Sequence, residues 1–278
     1  MQKKLLTVQD ISCIGQCSMT VAMPIVSSYG IETCILPSAI LSTHTGGFKG
    51  KFTFRDLTDD FPEIIRHWTE NDIRFDALYT GYIGNAKQFD YINVIKDTLM
   101  AEGAPIIIDP AMGDNGRLYT GFDLEFAAKM AKFAGGADYV LPNITEAAFM
   151  LGIEYKTEYD EDYVLSICRD LYKMGAKNTI LTGVSFDPDL LGIAAYNGET
   201  DTIEYRFEKR IPVSLHGTGD IFASAFSGAL LGGKSAVDAA SEAAVFVGRA
   251  ILNTMDYPEH FYGACFEGVI ANKDRKKD

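Results

Sequence analysis

His216-Gly217-Thr218-Gly219-Asp220, running directly into the apolar stretch 221–231, is the segment on which the reading of this chain turns. Two glycines let the backbone turn so that several N–H groups point at one spot, and the start of the following helix adds roughly half a positive charge there. Gly217, Thr218 and Gly219 thus make an anion hole, with the carboxylate of Asp220 at its mouth. An acid in a first helical turn also has an ordinary reason, since it favours the dipole, so the surroundings must decide. In phosphoryl transfer the protein positions groups and neutralises charge, while one carboxylate near the acceptor hydroxyl takes its proton, a role that suits Asp220. The chain has no G-x-x-x-x-G-K-[ST] and neither H-R-D nor D-F-G, which excludes P-loop enzymes and protein kinases.

Outward from this segment, apolar β-rich runs alternate with runs of helical period from end to end, which predicts a largely parallel sheet. Strands are expected over 5–8, 77–80, 105–109, 139–141 and 179–182, each followed by Gly, Pro, Asn or Asp. In open α/β sheets the ligand crevice lies at the strand carboxyl ends. Gln9-Asp10, Gly81-Tyr82, Asp109-Pro110, Pro142-Asn143 and Thr182-Gly183 should therefore converge on one rim. Phe61, Ile64, Ile65 and Trp68 form one helical stripe, and Val164, Cys168, Leu171 and Tyr172 another before a stop at Gly175. The run 193–196, then Asn197-Gly198, then 202–207 reads as an edge hairpin with a tight turn. Two Ala-rich helices, 221–231 and 236–252, follow, the second opened by Ser235 with Asp238 three residues on.

The 278 residues carry a formal net charge of −13 and are 47% hydrophobic, enough for a real core in one domain spanning 1–278. The acidic balance argues against nucleic acid as a partner, and the only basic cluster is the tail 273–277. No apolar run approaches the ~20 residues of a membrane helix, and the N-terminus lacks a signal-peptide pattern. Five scattered cysteines speak for a reducing, cytoplasmic setting, and Cys13-x3-Cys17, without a second pair or a nearby His, reads as small buried hydrophobes rather than a zinc site.

G-T-G-D before a small-residue helix, N-x-x-E at Asn143 to Glu146, and Asp109-Pro110 together resemble the ribokinase-like superfamily. Ser42-Thr43-His44-Thr45-Gly46, Thr80-Gly81-Tyr82 and Asp109-Pro110-Ala111-Met112-Gly113-Asp114 look like its pyridoxal kinase branch. The resemblance implies a three-layer α/β/α fold with a mostly parallel central sheet and antiparallel edge strands. It implies ATP-dependent phosphorylation of the 5′-hydroxyl of a B6 vitamer, with Asp220 as base and Gly217, Thr218 and Gly219 around the transferring group. On the nucleotide side it points to Asp109, Asn143, Glu146, Thr182, Gly183, Thr218 and Gly219, with Asp109 and Glu146 organising Mg²⁺, room for a monovalent cation such as K⁺, and a homodimer. On the acceptor side it points to Asp10, His44, Thr45 and Tyr82. A hydroxymethylpyrimidine kinase, or another small-molecule kinase of the same scaffold, is the alternative; a non-catalytic binder of B6 or nucleotide is a third reading.

Plainer accounts stand beside these assignments. Asn143 and Glu146 could cap a helix, Asp109 could end a strand with Pro110, Tyr82 could be a core tyrosine, and His44 a satisfied polar residue. The glycine-bearing segment 42–50 has the mobility expected of a lid or of a surface loop. Two features depart from the branch: Asp10 stands where the branch carries Ser after Gln, and Ser18-Met19 where it often has Gly-Asn. A carboxylate at position 10 could favour pyridoxamine or pyridoxine over pyridoxal. No cysteine lies within 217–220, which weakens the pyrimidine kinase alternative.

Overall fold

The computed structural model describes residues 2–271; the basic tail 273–277 lies outside them. The first half of the chain runs β1 (Lys4–Ser12), α1 (Met19–Ser27), β2 (Glu32–Leu41), β3 (Phe54–Asp56), α2 (Phe61–Glu70), β4 (Ala77–Thr80), α3 (Lys87–Thr98), β5 (Ile106–Ile108), β6 (Gly113–Asp114), β7 (Arg117–Leu118) and α4 (Leu124–Ala134). It continues with β8 (Tyr139–Val140), α5 (Ile144–Leu151), α6 (Glu161–Met174), β9 (Asn178–Val184), β10 (Leu190–Asn197), β11 (Thr202–Lys209), α7 (Thr218–Leu231), α8 (Ala236–Met255) and α9 (Glu267–Ala271).

Nine strands form one sheet in the order β11-β10-β9-β8-β5-β4-β1-β2-β3. The inner pairs from β9 to β2 are parallel, while β3 at one edge and β10 and β11 at the other are antiparallel. The expected mostly parallel sheet with antiparallel edges is what forms. The period of two along each strand builds the layers. Leu5, Tyr79, Ile107 and Ile180 enter a core with α1, α7 and α8, and Leu6, Leu78, Ile108, Val140 and Leu181 enter a second core with α2 through α6. Strands buried on both faces read as continuous apolar runs, as parallel strands under two helix layers must.

Three local expectations need correction. The hairpin between β10 and β11 does not turn on Asn197-Gly198: Asn197 pairs with Thr202, leaving a four-residue connection. Asn197 Oδ1 accepts the N–H groups of Glu199 (3.0 Å) and Thr200 (3.1 Å), and the positive φ falls on Asp201. Gly198 is needed for another reason, since a Cβ there would lie 2.0 Å from the Tyr172 ring. Tyr172 accordingly covers that turn at 43% exposure and is not part of the core stripe. Second, β9 does not stop at Thr182. Ile193 pairs with Thr182 and Gly192 with Val184, so Gly183 (φ 72°) is an unpaired bulge inside the strand. Third, β1 runs on to Ser12, and a register shift between Gln9 and Ile11 puts Asp10 at an irregular point within the strand instead of beyond its end.

Candidate active site

The turn expected of the anion hole depends on Gly217 having no side chain. Gly217 sits at φ 77° as the N-cap of α7, and a Cβ would fall 1.7 Å from the Gln16 carbonyl oxygen. No side chain caps the helix start, so the first-turn amides are left facing outward. Asp220 lies in this first turn, half-buried. Its carboxyl is pushed up to about 8: burial is the main cause, the charges of Asp109 and Asp10 add to it, and the Ser18 backbone N–H opposes them. Ser18 holds that N–H in place with φ 52° and ψ −130°, a conformation that costs a side-chain-bearing residue of order 1–3 kcal/mol.

On the nucleotide side, Asn143 and Glu146 form a capping box at the start of α5. Asn143 Oδ1 accepts the Glu146 N–H (2.9 Å), and Glu146 Oε2 accepts the Asn143 N–H (2.9 Å). The capping account is thus correct as geometry, and it places a buried carboxylate at the rim. Glu146 Oε1 takes the Met112 N–H (3.0 Å) and Asn143 Nδ2 donates to the Gly113 carbonyl (2.8 Å), which ties α5 to the β6–β7 hairpin. Asp109, following β5, accepts the Ala111 N–H (3.1 Å) and is otherwise buried beside Glu146. Burial raises both carboxyls, and Asp109 is raised further by the charge of Glu146. A bridge between Asn143 and Thr182 brings the β9 bulge to the same rim, with Thr182 half-buried and Gly183 exposed.

On the acceptor side, Asp10 is 3% exposed and accepts the Ser12 hydroxyl (2.9 Å). Its carboxyl is raised by burial, against the Ser18 and Ser12 hydroxyls. The Tyr82 ring packs on Phe122 at 5.3 Å and its hydroxyl is pushed up to about 12, by burial and then by the charge of Asp10. The charge of Asp10 is felt by both Asp220 and Tyr82, so the three lie near one another. His44 is elsewhere in detail: it is buried within the segment 42–50, its Nδ1 accepts the Gly46 N–H (3.1 Å), and its ring lies 4.9 Å from His216. Thr45 beside it is exposed.

Sequence reasoning missed two tyrosines. Tyr119 follows β7 with its ring 44% exposed, yet its hydroxyl is held neutral by burial and by the charges of Glu146, Asp114, Asp220 and Asp109. Tyr79 is fully buried on β4, its hydroxyl near Ser224 and Gln9 and within the field of Asp109 and Asp220, but without a hydrogen bond of normal geometry. Neither had a periodic or motif signal; Tyr119 lies only five residues beyond the quoted Asp114.

The cleft is acidic and lacks a matching cation. None of the nine ion pairs among the described residues involves Asp10, Asp109, Glu146 or Asp220. Among those residues no cluster of three or more His, Cys, Asp or Glu could hold a metal by itself. Two hard carboxylates with their inner lone pairs committed to backbone N–H groups fit a hydrated divalent ion shared with a polyphosphate better than an all-protein cage. No helix among them is long and apolar enough to cross a membrane.

A family model described as phosphomethylpyrimidine kinase matches residues 29–263. The pyridoxal kinase of Dictyostelium discoideum is 30% identical over 243 residues, covering 82% of this chain and 78% of that protein. Among solved structures, a Bacteroides thetaiotaomicron protein assigned as a phosphomethylpyrimidine kinase, in a crystal form with pyridoxal, matches with TM-score 0.92 and 36% identity over 99% of this chain and 96% of its own. The pyridoxal kinase of Lactobacillus plantarum matches with TM-score 0.88 and 28% identity over 98% and 96% of the two chains. With a helix start capped by glycine, an acid in its first turn and this likeness along nearly its whole length, the chain belongs to the pyridoxal kinase family within the phosphomethylpyrimidine kinase group of ribokinase-like proteins.

Proposed function

We propose that the chain, acting as one catalytic domain, transfers the γ-phosphoryl group of ATP to the 5′-hydroxyl of pyridoxal, pyridoxine or pyridoxamine. The observation that supports this reading is Asp220, which lies in the first turn of the Gly217-capped helix and, like Tyr82, feels the charge of Asp10. The alcohol oxygen attacks phosphorus, its proton passes to the Asp220 carboxylate, and the bond to the β-phosphate oxygen breaks. Amides of Thr218 and Gly219 face the charge on the transferring group, and Asn143 with the bulge at Thr182 and Gly183 lines the nucleotide side. Asp109 and Glu146 would hold the water shell of Mg²⁺, which supplies charge neutralisation to the phosphates when bound. Five free thiols support a reducing, cytoplasmic setting, and a homodimer remains the expected assembly.

A second acceptor has specific support: the matching family model is that of phosphomethylpyrimidine kinase. A coupled assay with pyridoxal, pyridoxine, pyridoxamine and hydroxymethylpyrimidine in parallel, with products identified by mass, separates the readings. Turnover of the pyrimidine alone would overturn the vitamer assignment, and ligand binding with no ATP turnover would overturn both.

A further inference from the structure

Residues 42–50 leave the sheet after β2 and return at β3 with three glycines, two of them at φ 80° and 82°, and little backbone pairing. The ties of this segment to the body are few: His44 N–H donates to the Ile14 carbonyl (3.1 Å), and Ser42 bonds to Thr53 at its base. Its remaining anchorage is aromatic. The His44 ring occupies space that a Cβ on Gly15 would enter at 2.3 Å, and Gly46 lies so close to His216 that a Cβ would be 2.7 Å from its Cε1. Phe48 meets His44 at 5.1 Å, Phe261 at 5.4 Å and Tyr262 at 5.9 Å. A Cβ on Gly47 would meet the Phe261 ring at 3.4 Å.

The receiving segment is itself fixed to the anion hole. The Gln16 N–H donates to the Tyr262 carbonyl (3.1 Å) and the Ala264 N–H to the His216 carbonyl (3.2 Å), one residue before Gly217. Ala264, Cys265 and Phe266 are buried, whereas Phe261 is 54% exposed. The base of this contact is therefore buried and its outer side faces solvent. An aromatic pair contributes about 0.5–1.5 kcal/mol beyond its buried area, so losing it shifts a closed-to-open ratio by roughly 2- to 12-fold.

We propose that Phe48 and Phe261 are positioning residues, an aromatic latch that holds the 42–50 segment closed against the anion-hole loop and keeps water from the transferring phosphoryl group. The reaction served is the one proposed above. When the latch is open, water replaces the alcohol as nucleophile and the products are ADP, inorganic phosphate and a proton.

The test uses Phe48→Ala and Phe261→Ala in the full chain. Both should raise the acceptor KM about 3- to 10-fold, with a smaller fall in kcat, and raise the phosphate released per vitamer phosphate formed by a similar factor, while the Kd for ADP stays within about twofold. Trypsin gives a readout that needs no turnover, because Lys49 and Lys51 lie in and beside the segment. Cleavage there, followed by mass, should be several-fold faster in both variants. Phe261→Leu, on the exposed side, serves if Phe48→Ala fails to fold. Wild-type cleavage rates, or an ADP Kd that rises in step with the acceptor KM, would overturn the latch. A wild-type protein that phosphorylates no vitamer while the variants are still cleaved faster would overturn the proposed activity and leave the latch standing.

Discussion

Replacing Asp220 by Asn should make the protein more stable and nearly inactive, and the two effects have one origin. Burial, with the charges of Asp109 and Asp10, pushes the carboxyl up to about 8 in the fold from an ordinary value of 3.8. A raised value means that the folded state binds the proton more tightly than the unfolded chain. The resulting stability is fully present below the unfolded value near 4 and is lost as pH rises through about 8. At about 1.4 kcal/mol per unit the loss has an upper bound near 5 to 6 kcal/mol, and relaxation with water entry reduces it to an expected 1 to 3 kcal/mol or so. Asn carries no charge to desolvate, so its advantage over Asp should be near zero at about pH 4 and grow steadily towards pH 8. For a chain of this size that corresponds to a Tm difference of roughly 2–10 °C at the alkaline end, read by calorimetry without ligands. In the same variant turnover should fall by roughly 10²- to 10⁴-fold, about 3 to 5 kcal/mol of barrier, with nucleotide binding largely kept. A Tm difference independent of pH, or turnover at the wild-type level, would refute the reasoning.

Gly217→Ala forces a Cβ onto the Gln16 carbonyl and strains a positive φ, so kcat should fall at least about 100-fold; a variant with normal kcat would show that the amide cradle is not used. Glu146→Gln turns one oxygen that accepts a backbone N–H into a donor, and should lower stability by roughly 1–3 kcal/mol and raise the Mg²⁺ requirement, measured by denaturation and metal titration. An unaltered metal dependence would count against its placement. Asp10→Ser should change the ranking of the three vitamers in kcat/KM, and an unchanged ranking would remove the idea that this carboxylate reads the acceptor.

The layers were legible because buried parallel strands leave continuous apolar runs such as 5–8 and 77–80, and helices leave stripes such as Phe61 and Ile65. The base and its cradle were legible because the motif joins glycine, acid and helix start within five residues. Long-range packing left no such trace. Gly198 looked like turn chemistry, but it was placed by the approach of Tyr172 from α6. Gly183 looked like a strand end, but it is a bulge defined by the register of β10. The position of His44 depends on Gly15 and His216, far apart in sequence, so its burial could not be read from the residues around it. The hydroxyls of Tyr79 and Tyr119 enter the field of the carboxylates only through the fold.

The carboxylates near the start of α7, paired to no lysine or arginine among the described residues, bear on what happens after the chemistry. After transfer Asp220 holds the proton of the alcohol, so a vitamer phosphate faces a neutral carboxyl there, and once the nucleotide and its divalent ion depart it keeps only the amides at the start of α7 as partners. Loss of that proton to solvent restores a carboxylate beside the phosphate, and like charges at short range then favour departure of the ester. The same arrangement that makes the empty pocket costly to ionise thus guards it against clogging by its own product.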